Sequence, residues 1–376
     1  MVQRVCLVSG GTGGHLMPAL VLARAMRASG HEPVLVTEGR DVEREMLRRE
    51  LPDVQGVELP AASRSRLGLP FWLLRATAAA RRLLREQHVD SVVSTGGRPS
   101  VPVALAARSL GKPIYLLEQN AVTGRANRWL LPLASRIYHG LPAADTSSPR
   151  ALVTGTPLRP EIGRLDRTRA RDLLGLRHDV PVVLVTGGSQ GARSLNEIVP
   201  QALLRVGKPL QVLHLAGLGR DDAVRRFYAA SEGKVQALVR PVALDMDRLF
   251  GASDLVICRG GGTTVAELTA VGRAAILVPY PHHRDQQQLR NAEVLARAGA
   301  ALIVEEAALS IEAMAELVTC LLADPVRLQT MGDAARALRH GDAAAAILRD
   351  MGLLGSEPVV ATPGNGLAGP AAGGGR

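Results

Sequence analysis

The sequence predicts an α/β protein of two modules, each a parallel sheet with helices on both faces, facing one another across a cleft. Three observations carry this. Apolar runs suited to buried parallel strands alternate with helical segments along the chain. Nearly the same strand-to-glycine turn occurs twice, as Val5-Cys6-Leu7-Val8-Ser9-Gly10-Gly11-Thr12-Gly13-Gly14-His15 and as Val183-Leu184-Val185-Thr186-Gly187-Gly188-Ser189-Gln190-Gly191-Ala192-Arg193. Finally, 376 residues with 47% hydrophobic content exceed one ordinary core and furnish two.

In the first half the expected strands are 4–9, 33–37, 91–94, 113–117 and 136–139, with helices near 17–29, 41–49, 70–87, 100–110 and 124–133. Gly155, Pro157 and Pro160 interrupt any regular element and mark a linker near 154–160. The second half offers strands near 182–186, 210–215, 235–238, 254–257, 274–278 and 301–304, separated by helices. One final helix near 326–349 follows Asp324-Pro325, and the Gly/Ala/Pro-rich residues 355–376 read as a disordered tail. The expected division is 1–155, 156–330, a C-terminal helix in 331–354, and the tail.

Neither repeated turn fits a dinucleotide fingerprint or a P-loop, because the last glycine of the first pattern and the Gly-Lys-Ser/Thr of the second are missing. Hydride transfer and ATP hydrolysis therefore lose weight. What remains is the backbone of a helix N-terminus, whose N–H groups face an anion. Two further glycine turns, Ser94-Thr95-Gly96-Gly97-Arg98-Pro99-Ser100 and Cys258-Arg259-Gly260-Gly261-Gly262-Thr263-Thr264-Val265-Ala266-Glu267, also end strands, where open α/β sheets form their ligand crevice. With His15, Asn120, Arg159 and Glu267 nearby they outline one interdomain site. A lone glycine turn, a helix-start histidine or an acid in a helix's first turns is commonly structural, so it is their combination that points to a ligand.

The net charge of +10 lies mainly in residues 1–155, with 20 Lys and Arg against 12 Asp and Glu; the remainder has 25 against 23. Between Leu59 and Arg85, Arg64, Arg66, Arg75, Arg81, Arg82 and Arg85 occur without an acid, interleaved with Leu67, Leu69, Phe71, Trp72, Leu73, Leu74, Leu83 and Leu84. That mixture suits an anionic membrane surface, and an ordinary helix with a core-facing stripe is the competing reading. Aromatic residues make up only 2% of the chain, which argues against nucleic-acid binding through stacking. No apolar run is long enough to span a bilayer and no signal peptide is read, so the expected location is peripheral, on the cytoplasmic face of the membrane. Cys6, Cys258 and Cys320 form no metal-ligand spacing and read as buried, reduced core residues.

Taken in order, Gly10 to His15 with Pro18-Ala19, Glu118-Gln119-Asn120-Ala121-Val122 with Ala126-Asn127-Arg128-Trp129-Leu130, Gly155 with Pro157 and Arg159, Gly187 to Arg193 with Leu195-Asn196, Thr264 to Leu268, and Asp285 with Gln287-Gln288 and Asn291-Ala292 resemble the MurG family. The resemblance runs from residue 5 to about residue 305. It implies a GT-B fold of two Rossmann-like domains and transfer of N-acetylglucosamine from UDP-N-acetylglucosamine to undecaprenyl-linked lipid I, giving lipid II. The N-terminal domain takes the acceptor and the C-terminal one the donor.

The resemblance also implies roles. Ser189, Gln190 and Gly191 meet the donor pyrophosphate, with Arg159 adding charge from the linker, and Glu267 accepts from ribose hydroxyls. Gly262, Thr263, Thr264, Val265, Ala266 and Ala243 line the nucleotide end, and Gln287 and Gln288 face the sugar. Thr12, Gly13, Gly14 and Asn120 belong to the acceptor side, where His15 is the candidate base or an acceptor contact. No metal and no cofactor is expected: Asp245-Met246-Asp247 reads as a helix start, so helix N-termini and arginine must stabilise the leaving group. The chain departs from the family pattern at Arg98, Leu117, Thr156, Gly260 to Gly262 and Gln286. The first two lie on the acceptor side, leaving open a relative that glycosylates another lipid or a secondary metabolite, or a UDP-sugar-binding accessory protein without turnover.

Overall fold

A computed structural model of the chain describes residues 1–10, 13–54, 56–60, 68–142, 147–231, 233, 235–283 and 285–355. The first half runs β1 (Arg4–Val8), α1 (Gly13–Ala28), β2 (Glu32–Thr37), α2 (Asp41–Glu50), β3 (Val57–Glu58), α3 (Gly68–Glu86), β4 (Ser91–Ser94), α4 (Ser100–Ser109), β5 (Ile114–Glu118), α5 (Arg125–Leu130), β6 (Arg136–His139) and β7 (Ala151–Val153). The second half runs α6 (Arg167–Leu174), β8 (Val182–Thr186), α7 (Arg193–Leu204), β9 (Leu210–Leu215), α8 (Asp221–Ala229), β10 (Val235–Arg240), α9 (Met246–Ala252) and β11 (Leu255–Cys258). It continues through α10 (Gly262–Val271), β12 (Ala274–Leu277), α11 (Gln287–Arg297), β13 (Ala301–Ile303), α12 (Ile311–Leu322), α13 (Pro325–Ala337) and α14 (Ala343–Asp350).

The strands form two all-parallel sheets, one of seven strands in the order β3-β2-β1-β4-β5-β6-β7 and one of six in the order β10-β9-β8-β11-β12-β13. Both orders reverse direction beside their first strand, between β1 and β4 and between β8 and β11. Those are the topological switch points where an open α/β sheet leaves a crevice. The four glycine turns leave these same four strands. The strands are continuous apolar runs because both faces are covered: β8 is buried throughout, with Val183 and Val185 in one cluster and Val182 and Leu184 in the other.

The chain crosses between the halves twice. After β7 it passes through the linker to α6, and at the far end it returns: Ala344, Ile347 and Leu348 of α14 pack into the cluster built on α1. The carboxylate of Asp350 fixes this return by accepting from the Tyr138 hydroxyl at 2.8 Å and from Arg136 at 3.0 Å.

Three expectations need correction. The single helix near 326–349 is two helices, because the Leu338–Asp342 segment breaks it and Asp342 caps α14 by accepting from the Ala345 N–H. Cys320 is exposed on α12, whereas Cys6 and Cys258 are buried as expected. Phe71 and Trp72 do not behave as a pair: Phe71 is 64% exposed, with Arg75 over its ring, while Trp72 is half-buried and donates its Nε1–H to the Pro60 carbonyl at 2.8 Å. Arg64, Arg66 and Leu67 of the basic stretch, and the tail from residue 356, lie outside the described residues.

Candidate active site

The two sheets meet through the starts of α1 and α10. Thr263 Oγ1, in the first turn of α10, donates to the Gly14 carbonyl in the first turn of α1 at 2.9 Å. A Cβ at Gly262 would stand 2.6 Å from the Gln119 carbonyl oxygen, so the approach of α10 to the β5 turn needs a glycine there. A second bridge lies beside the first. Asn291 on α11 is fully buried; its Oδ1 accepts from the Ala121 N–H at 2.7 Å, and its Nδ2 donates to Asn120 Oδ1 and to the Gly260 carbonyl, both at 2.9 Å. Asn120 thus spends its side chain on the crossing: its Nδ2 donates to Glu118 Oε1 at 2.9 Å while its oxygen meets Asn291.

Glu118 organises the loop behind that crossing. Its buried carboxylate accepts from the Asn120 N–H and Nδ2 on one oxygen and from the Gly124 N–H and Asn127 Nδ2 on the other. Four donors on one carboxylate compensate its burial and fix the turn from 118 to 127.

On the acceptor side, Thr12 lies outside the described residues and Gly13 opens α1. His15 follows, and its Nδ1 stands 2.8 Å from the Thr95 carbonyl. A carbonyl only accepts, so Nδ1 carries a proton, and in the neutral ring it is Nε2 that holds the lone pair. Arg98 is exposed on the neighbouring turn, whereas Leu117 is fully buried in the core built on α1 and α14. The change at Leu117 is therefore a matter of packing, and Arg98 is the departure that faces solvent.

On the donor side, the turn after β8 is stacked on the turn after β9. A Cβ on Gly191 would fall 2.0 Å from the Ala216 carbonyl, and Gly191 has φ +67°. Its N–H turns back to the Gly188 carbonyl at 2.9 Å, so it is not available to an anion as expected. The open donors are those in the first turn of α7, which has no side-chain cap. Ser189 is half-buried and Gln190 exposed at this turn. Arg259 reaches the same helix start, donating to Ser194 Oγ at 3.1 Å while pairing with Glu306.

Glu267 is half-buried one turn into α10, and burial pushes its carboxyl up to about 7, with the charge of Arg159 opposing the shift. Arg159 itself donates to the Leu244 carbonyl, on the loop after β10 that also carries Ala243. Val265 is fully buried in the cluster beneath the second sheet, and Ala266 is buried beside it on α10. Thr264 is half-buried on that helix. Gln287 opens α11 near Gly124, whereas Gln288 Oε1 accepts from the Tyr280 N–H at 2.9 Å, leaving its amide nitrogen. Asp245, read as a helix cap, precedes α9 but makes no side-chain cap bond; both its oxygens accept from Arg240 at 3.1 Å.

Sequence reasoning quotes Asn291, Thr95, Arg259 and Asn196 only as members of motifs and gives none of them a role of its own. Asn196 Nδ2 donates to the Ala216 carbonyl at 2.8 Å, tying α7 to the turn stacked on Gly191. Each acts through a partner distant in sequence, and single-chain spacing carries no signal for that.

Two parallel sheets whose switch-point turns face each other have the GT-B arrangement, and the family matches make the chain a glycosyltransferase. The chain matches the glycosyltransferase family 28 N-terminal domain over residues 5–139 and the family 28 C-terminal domain over residues 182–347. It belongs to the MurG family. A UDP-N-acetylglucosamine--N-acetylmuramyl-(pentapeptide) pyrophosphoryl-undecaprenol N-acetylglucosamine transferase of Stutzerimonas stutzeri is 39% identical to it, over 93% of this chain and 98% of the relative. The transferase of the same name from Halorhodospira halophila is 41% identical over 91% and 96%. The crystal structure of Acinetobacter baumannii MurG superposes with a TM-score of 0.76 at 29% identity, covering 94% of this chain and all of that one.

Proposed function

We propose that the chain transfers N-acetylglucosamine from UDP-N-acetylglucosamine to undecaprenyl-pyrophosphoryl-N-acetylmuramyl-pentapeptide, lipid I, forming lipid II with inversion at the anomeric carbon. The observation that carries this reading is the hydrogen bond from Thr263 to the Gly14 carbonyl, which brings the helix start of each half to one point. A donor held by the second half and an acceptor held by the first are thereby brought towards one point. The boundary between the two roles falls near residues 155 and 156.

In a single displacement the acceptor hydroxyl oxygen attacks the anomeric carbon from the side opposite UDP, the bond to the diphosphate oxygen breaks, and the hydroxyl proton must leave. His15 takes it: with Nδ1–H held by Thr95, Nε2 is the basic nitrogen. The charge that develops on the leaving diphosphate meets the uncapped N-terminus of α7, with the Ser189 hydroxyl and the Gln190 N–H beside it, and these dipoles are fixed before reaction. Glu267 accepts from the ribose hydroxyls and Arg159 offsets its charge. Asn120 holds the crossing closed through Asn291.

The exposed apolar groups of α3, Leu69 at 50%, Phe71 at 64% and Leu74 at 71%, stand beside Arg75, Arg81, Arg82 and Arg85 and support docking on an anionic membrane surface, where a polyprenyl-linked acceptor resides. Trp129 on α5, 79% exposed, adds a further aromatic. Among the described residues no helix is long and apolar enough to cross a membrane. Incubating the purified chain with labelled UDP-N-acetylglucosamine and a short-chain lipid I tests the reading. Label moves to the lipid if it holds. Binding of the donor without transfer would instead identify an accessory protein, and transfer only to another lipid would identify a relative with a different acceptor.

A further inference from the structure

A cavity of about 360 Å³ opens at the amino ends of β8, β11 and β12, on the edge of the second sheet opposite the glycine turns. It is lined by Arg167, Arg171 and Arg273, with His178, Asp254 and Gly272. Its volume lies within the range of small-molecule sites, roughly 300–1,000 Å³. Three guanidinium groups stand around one carboxylate, Asp254, which also accepts from the Val182 N–H at 2.8 Å. Asp254 accepts from Arg171 at 2.6 Å and pairs with Arg167 at 3.2 Å. The other acid at the wall, Asp179, is matched by Arg177 outside the lining, and His178 turns to Asp172.

Beyond the shared pairing with Asp254, the arginines are anchored by carbonyl oxygens, which carry no neutralising charge. Arg171 gives its remaining donors to the Ala252 and His178 carbonyls, and Arg273 gives Nε and Nη2 to the Phe250 and Gly251 carbonyls at the end of α9. Arg273 Nη1 and the Nε and Nη2 of Arg167 have no hydrogen-bond partner among the described residues. Burial, with repulsion from Arg167, Arg336 and Arg171, pulls the Arg273 guanidinium down to about 10 against the help of Asp254. Guanidinium groups held in fixed orientations, with unspent N–H donors and excess positive charge, match phosphate oxygens better than a single carboxylate.

We infer that this cavity is a second ligand site, separate from the glycosyl-transfer cleft, that takes a phosphate-bearing anion between α6 and the base of the second sheet. The site is distinct from the donor site because the strands separate the two edges of the sheet.

The test is titration of sodium pyrophosphate into the full chain at constant ionic strength with the donor cleft saturated by UDP. One site is expected. Arg167→Gln, which removes an exposed arginine outside the transfer cleft, weakens binding roughly tenfold, the usual effect of losing a charged hydrogen-bond donor. Asp254→Asn removes the carboxylate charge that pairs with Arg171 and Arg167 and tightens binding, a gain that loss of structure does not produce. A parallel flotation with phosphatidylglycerol vesicles separates the sources: reduced vesicle binding by Arg167→Gln assigns the phosphate to a lipid headgroup, and unchanged vesicle binding with weakened pyrophosphate binding assigns it to a free anion. Absence of pyrophosphate binding in the presence of UDP, or equal affinity in wild type and both variants, overturns the inference.

Discussion

Replacing Glu267 by glutamine separates two contributions that an alanine would merge. The carboxyl group, raised by burial to about 7, must be ionised to accept from two ribose hydroxyls. Binding of the donor therefore competes with protonation, and the apparent affinity scales with the ionised fraction. Between about pH 8 and about pH 6 that fraction falls about tenfold for a group titrating near neutrality, so donor affinity should fall about tenfold over the same interval. Glu267→Gln keeps the shape, removes the charge, and should lose roughly 1.5–3 kcal/mol of donor binding at high pH together with most of the pH dependence. Titration calorimetry with UDP-N-acetylglucosamine in the absence of acceptor reads both effects, and this donor has no phosphate proton that titrates near neutrality. Linkage gives an independent check through stability. The folded carboxyl lies at about 7 against 4.5 in the unfolded chain, so the wild type loses stability as pH rises through that window. The glutamine variant should melt higher than wild type above the window and at the same temperature below it. A donor affinity that is flat with pH in the wild type, or unchanged in a folded Glu267→Gln, refutes the assignment.

Other expectations follow from the same geometry. His15→Ala should lower kcat by roughly 10²–10⁴, the range for general base catalysis, with donor affinity measured by calorimetry unchanged; a kcat within a factor of a few of wild type would remove His15 from proton transfer. Thr263→Val deletes one hydrogen bond across the cleft and should cost about 1 kcal/mol of closure, read as a rise in KM for the acceptor. Turnover in excess EDTA should match turnover without it, because the α7 N-terminus with the Ser189 hydroxyl and the Gln190 N–H is assigned to the leaving group; loss of activity that magnesium or manganese restores would contradict that assignment. Phe71→Ser with Leu74→Ser should abolish the salt-resistant part of binding to anionic vesicles, whereas Arg75, Arg81 and Arg82 changed to Gln should remove the salt-sensitive part, each arginine contributing about 1 kcal/mol; flotation that is the same in all three proteins would leave α3 as ordinary packing.

The strands are legible in the sequence because both sheets are parallel and covered on both faces, so β8 or β11 appears as an uninterrupted apolar run ended by glycine. The repeated turn marks the duplicated switch point in the same way, since each copy must leave its strand at the point where the strand order reverses. What stays hidden depends on how the two halves meet. Asn291 is visible only as part of a motif, yet it is the residue whose amide reaches Asn120, Ala121 and Gly260 at once, a geometry set by the closing of one sheet on the other. Gly191 reads as a free anion donor because a glycine turn carries no record of its own internal bond to Gly188. The break between α13 and α14 does have a signal, Gly341 before the capping Asp342, outweighed by the alanine-rich flanks. Exposure of Cys320 and Trp129 depends on which helix face the neighbours cover, which short amphipathic patterns do not fix.

The central claim is a single displacement in which the acceptor hydroxyl attacks opposite UDP at the closed interdomain site. The anomeric configuration of the product tests it most directly: the chain is incubated with the α-linked donor and short-chain lipid I, and the new glycosidic proton is read by NMR. A large diaxial coupling, the mark of a β-linkage and of inversion, is the result this mechanism predicts. A small coupling, the mark of retention, would require a covalent or front-side route for which His15 and the α7 N-terminus are wrongly assigned.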